Sequence, residues 1–167
     1  MYEFNFMEDV ITFLKNRDLS HFRFQGGKAY LDIYSENSDA VKLCADAPDG
    51  TIPEETVSRM LDVLNDPDAC IRKAYGWLNN LNVNDKLFAH LYPKWFPGEM
   101  DQIYEKELTL YGIRFGKFRW GHDPNPVIDG FTISLMDDHG GWAHIYTVKF
   151  VYKDMRPIAA ERWIKVF

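Results

Sequence analysis

Apolar positions along this chain follow two periods, and the changes between them mark out the predicted elements. Near the start, Met7, Val10, Ile11 and Leu14 recur at three- and four-residue steps, which predicts a short helix. The stretch HFRFQGGKAYLDIYS then alternates. A two-residue loop at Gly26-Gly27 puts Phe22, Phe24, Ala29, Leu31 and Ile33 on one face, with Arg23, Gln25, Lys28, Tyr30, Asp32 and Tyr34 on the other. That agreement between turn and pattern predicts a hairpin over 22–34.

The helical period returns in TIPEETVSRMLDVLN, whose apolar stripe is Val57, Met60, Leu61 and Leu64. Thr51 and Glu54 have capping-box spacing, and Pro53 suits a first turn. Asp66-Pro67 restarts a second helix, Asp66 as cap, with Ile71, Ala74, Tyr75, Leu78 and Leu81 as its stripe. DKLFAHLY predicts a third short helix stopping at Pro93, and residues 94–107 read equally as loop or helical turn. From Leu108 alternation resumes through Tyr111, Ile113 and Phe115, then Phe118 and Trp120. Two further strands follow, and RPIAAERWIKVF closes the chain as an edge or terminal strand.

The sharpest register comes from DDHGGWAH, residues 137–144. With Gly140-Gly141 as the turn, Asp137 lies opposite His144, Leu135 opposite Tyr146, Ile133 opposite Val148 and Phe131 opposite Phe150. A slip by one residue would turn one strand over and spoil the apolar face. The predicted fold is α+β: an antiparallel sheet with hairpins at 22–34 and 130–152, packed by a central helical segment at about 53–92. At 167 residues, one domain spanning 1–167 accommodates all of it.

Composition narrows the function classes. The chain is 46% hydrophobic and 16% aromatic, which excludes a disordered chain and favours a sheet-rich core. No apolar run approaches a membrane span, and MYEFNFMEDV has neither a basic nor an apolar leader region. A cytoplasmic protein without membrane partners is expected. Cys44 and Cys70 are then reduced, and no C-x-x-C pair suggests redox work or zinc. The net charge is −6, and residues 35–70 hold nine acids against Lys42 and Arg59. Phosphate backbones would be repelled, so no nucleic-acid partner is expected, whereas a basic protein would be attracted.

Candidate chemistry centres on the same eight residues. Asp137 and His144 are the candidate catalytic pair, since a carboxylate beside an imidazole fixes its tautomer and serves general bases and metal sites. The same pair can equally be a polar closure of a sheet end. A divalent metal needs a third ligand, for which His122, Asp123 and His139 are candidates beside His144. Other templates fail. GIRFGK is one residue short of a phosphate loop, and neither a G-x-S-x-G elbow nor H-E-x-x-H is present.

TVSRMLDVLNDPDACIRKAYGWL followed by the Asp137-Asp138-His139-Gly140 turn resembles a group of small, uncharacterised bacterial α+β proteins regarded as immunity-like. That resemblance implies a protein that binds and neutralises a toxin, with no catalytic residues to carry over. The leading expectation is therefore a non-catalytic binding domain without a cofactor. Its basic partner would meet the acidic 35–70 surface, with Glu54, Glu55, Asp62, Trp95 and Trp120 as contact candidates. The alternative is a metal-dependent, hydrolase-type enzyme built on Asp137 and His144.

Overall fold

The computed structural model describes residues 7–35, 38–80, 108–119 and 127–167. Helix α1 (Met7–Lys15) leads into β1 (Arg23–Gln25), β2 (Lys28–Ser35) and β3 (Ser38–Asp46). Helices α2 (Glu54–Leu64) and α3 (Pro67–Asn80) follow, then β4 (Thr109–Arg119), β5 (Val127–Asp138), β6 (Trp142–Val151) and β7 (Arg156–Val166). The strands form one seven-stranded sheet in sequence order. It is a mixed helix-and-sheet fold, as the alternating and helical periods require.

Gly26 and Gly27 take φ of 60° and 75°, the left-handed region glycine enters without steric cost, and Gln25 pairs with Lys28 across them. From there the chain zigzags, with one exception. β3 pairs with β4 in parallel, Leu43 beside Ile113 and Ala45 beside Phe115. The expectation of a purely antiparallel sheet is corrected here. Parallel neighbours need a long crossover, and the stretch holding α2 and α3 provides it. β3 itself was not anticipated, although Val41, Leu43 and Ala45 alternate with Lys42, Cys44 and Asp46.

One sheet face is apolar and meets the helices. Leu31, Leu43, Ile113, Phe115, Phe131, Ile133, Val148 and Phe150 are buried there with Val57, Met60 and Leu64 of α2 and Ala74 and Leu78 of α3. Phe131 anchors the centre, its ring 4.7 Å from Phe150 and 6.0 Å from Phe115. α2 is tied down by Arg59, which lies 4.2 Å over the Tyr152 ring and pairs with Asp129 and Glu55.

The expected capping box does not form. Pro53 occupies the N-cap of α2 without a side-chain cap bond, and the Glu54 carboxylate instead accepts from Arg17 Nε at 2.8 Å. Asp66 does cap α3, its Oδ1 accepting from Ala69 N at 3.2 Å. The helix expected at 85–92 and the ambiguous stretch to residue 107 lie outside the described residues.

Candidate functional site

The β5–β6 connection builds the site. Asp138 Oδ1 accepts from Gly140 N at 2.8 Å, Gly140 takes φ of 95°, and His139 N donates to Trp142 O at 2.9 Å. This closes the chain so that Asp137 pairs with His144 and Leu135 with Tyr146. Side chains alternate along each strand, so Asp137 and His139 share a side with Trp142, His144 and Tyr146.

Here the apolar face ends in a polar cluster. Asp137 Oδ2 lies 2.9 Å from His139 Nε2, and the Tyr146 hydroxyl lies 3.5 Å from His144 Nδ1. The His139 ring stacks on Trp142 at 4.2 Å with 12° between planes, and His144 stands 4.9 Å from Trp142. His144 is fully buried, while the Asp137 and His139 side chains are 13% and 29% exposed. One ligand atom from each of Asp137, His139 and His144 lies within 4.8 Å of the other two. The structure therefore supplies the third ligand from inside the turn. His122 and Asp123, the other two candidates, lie outside the described residues.

The C-terminal half of β7 runs beside this cluster. His144 pairs with Ile164, Trp142 with Val166, and Phe167 N donates to Gly141 O at 3.1 Å. Trp163, Ile164, Val166 and Phe167 are 41%, 40%, 77% and 60% exposed, four of the six large apolar side chains exposed among the described residues. By strand alternation Ile164 and Val166 project on the side of His144 and Trp142, whereas Trp163 projects on the other, its indole on Thr147. The pattern of RPIAAERWIKVF predicts an edge or terminal strand but not this exposure.

Acids of the 35–70 segment fall on several elements. Asp46 sits in β3, where Lys28 Nζ approaches Oδ1 at 3.0 Å. Glu54 and Glu55 lie on α2 and are engaged by Arg17 and Arg59 respectively. Asp62 borders a cavity of about 390 Å³ with Arg59, Asp129 and Tyr152. Burial pushes the Tyr152 phenol well above its usual range, which suits a packing role. Trp95 and Trp120 lie outside the described residues. Trp77 packs against the core with its indole nitrogen buried.

The sheet's other face carries a groove of about 570 Å³ bordered by Lys42, Arg114, Ser134, Thr147, Lys149 and Glu161. Two of its hydroxyls are engaged: Ser134 and Thr147 stand 2.8 Å apart, and Trp163 Nε1 donates to Thr147 at 3.3 Å. Cys44, at its border, and Cys70, in α3, are free thiols. Burial raises both above the ordinary thiol value, which disfavours the nucleophilic thiolate.

No helix among the described residues is long and apolar enough to cross a membrane. The resemblance to immunity-like proteins rests on the residues quoted for it. Comparison with known proteins finds no matching family model, no matching curated protein and no matching solved structure.

Proposed function

We propose that this protein is a non-catalytic, immunity-like binding protein, and that the sheet corner formed by the β5–β6 turn and the end of β7 contacts its partner. One observation carries the reading: the exposed Ile164, Val166 and Phe167 lie against a turn that presents Asp138 and His139. Exposed apolar side chains at a corner that also carries acids suit a partner with an apolar anchor and basic side chains around it. This moves the expected contact away from α2, where Glu54 and Glu55 already have cationic partners within the fold. The resemblance makes a toxin the expected partner, and the net charge of −6 favours a basic one.

The test compares proteins captured from the native host by the wild type and by two variants. Asp138→Asn keeps an acceptor for Gly140 N but removes the charge, and Val166→Asp changes a side chain that is 77% exposed. The reading expects one basic protein in 1:1 stoichiometry, weakened by salt and lost from Val166→Asp. Identical capture by all three proteins, or capture unaffected by Val166→Asp, would reject the corner as the contact.

A second reading, metal-dependent hydrolysis, draws support from the Asp137, His139 and His144 cluster. The exposed apolar side chains of β7 beside the same turn favour binding over this second reading.

A further inference from the structure

We propose that Asp137, His139 and His144 form a binding site for one borderline divalent transition-metal ion, of the zinc, nickel or cobalt class. The site lies within the proposed contact corner, but its occupancy does not depend on any partner.

The case begins with strand geometry. Residues two apart in extended chain share a face, and cross-strand neighbours stand side by side, so Asp-x-His running off the end of β5, with a histidine opposite the aspartate, makes a compact triad. One potential ligand atom from each lies within 4.8 Å of the other two, and Asp137 Oδ2 is already 2.9 Å from His139 Nε2. Ligand atoms around a tetrahedral ion sit roughly 3.3 Å apart, given metal–ligand bonds of about 2.0–2.1 Å. The residual closure falls to His139, the most exposed of the three.

The chemistry selects the ion. Two imidazoles and one carboxylate suit zinc, nickel, cobalt or iron, whereas magnesium and calcium prefer oxygen donors. A ligating histidine usually has its second nitrogen oriented by another group. The Tyr146 hydroxyl, 3.5 Å from His144 Nδ1, stands where such an orienting group would be. Trp142, stacked on His139, holds that ring over the turn. Three protein ligands leave a fourth tetrahedral position to water.

The experiment uses untagged, chelator-stripped protein titrated with Zn²⁺, Ni²⁺, Co²⁺ and Mg²⁺. Calorimetry and thermal shift report binding, and the Co²⁺ complex is read by its visible absorption. The proposal expects one equivalent of Zn²⁺, a melting temperature that climbs with Zn²⁺ concentration, and Co²⁺ bands in the visible. Mg²⁺ should give no shift. Affinity should fall at least about tenfold in His139→Ala, a loss that even an outer contact can produce. It should also weaken as pH drops and protons compete for the imidazoles.

His144→Ala opens a buried cavity and can unfold the corner, so His139→Ala and Asp137→Asn carry the test, each checked for native circular dichroism. No saturable binding of Zn²⁺, Ni²⁺ or Co²⁺, or binding that survives both variants, overturns the proposal. The two claims fail separately: partner capture run in chelator tests the contact corner without metal, and these titrations test metal without a partner.

Discussion

The site depends on β5 being threaded between β4 and β6, and Gly130 is where that threading is tightest. It pairs with Gly116 on one side and Val151 on the other. A Cβ at Gly130 would stand 1.9 Å from Phe150 O and 3.0 Å from Phe118 Cε1. Ordinary contacts to such atoms begin above 3 Å, so β5 or β6 must move by about 1 Å or more, and no rotamer change relieves a clash with a backbone oxygen. Overpacking typically costs about 1–3 kcal/mol, and a clash with paired backbone belongs at the upper end. For a chain of this size each kcal/mol is worth roughly 2–4 °C, so Gly130→Ala should lower the melting temperature by about 6–12 °C. Gly76→Ala serves as the internal contrast. Gly76 lies within α3 and nothing stands within 4 Å of its added Cβ. Helix propensity then predicts a gain of about 0.5–1 kcal/mol. Urea unfolding with parallel thermal melts measures both. If Gly130→Ala melted within about 2 °C of the wild type, or Gly76→Ala melted lower than it, the close approach of β5 and β6 or the open helical face would be refuted.

Arg59→Met keeps the aliphatic stem but loses the stacking on Tyr152 and the pairs to Asp129 and Glu55. Those carboxylates are 46% and 75% exposed, so the discounted loss is about 1–2 kcal/mol, read as a lower urea midpoint. Thr147→Val removes the hydroxyl shared by Ser134 and the Trp163 indole, and should cost about 1–2 kcal/mol by the same assay. Arg17 holds the Glu54 carboxyl below its ordinary value, chiefly through their hydrogen bonds. A depressed carboxylate contributes stability above its unfolded value, about 4.3, and loses it as pH falls through the folded value. Arg17→Met should therefore remove part of the stability near neutral pH and flatten its decline on acidification, measured by urea midpoints from pH 3 to 7.

Local chemistry made some features legible in the sequence. The Gly26-Gly27 turn and the apolar alternation of 131–150 each restrict register within a few residues, and the structure pairs Phe131 with Phe150 and Asp137 with His144. β3 was obscured because Asp39, Asp46 and Asp49 drew SDAVKLCAD into an acidic stretch, while its alternation spans only a few apolar residues. Its parallel pairing with β4 joins residues about 70 positions apart and leaves no local trace. Arg17 was equally invisible as the partner of Glu54, because the capping box at Thr51 is a local pattern and the ion pair is a tertiary one. In the candidate site, Asp137 and His144 followed from register. That His139 closes against Asp137 follows from the two-residue period, but its stacking on Trp142 and the exposed β7 corner require the folded sheet.

Hydrogen–deuterium exchange of this protein, alone and with the captured partner, tests the contact corner most directly. The account predicts slowed exchange at 137–144 and 162–167 on complex formation, with the amides of α2 unchanged. Protection over 54–62 with no change at the β5–β6 turn would contradict it and return the contact to the acidic helix.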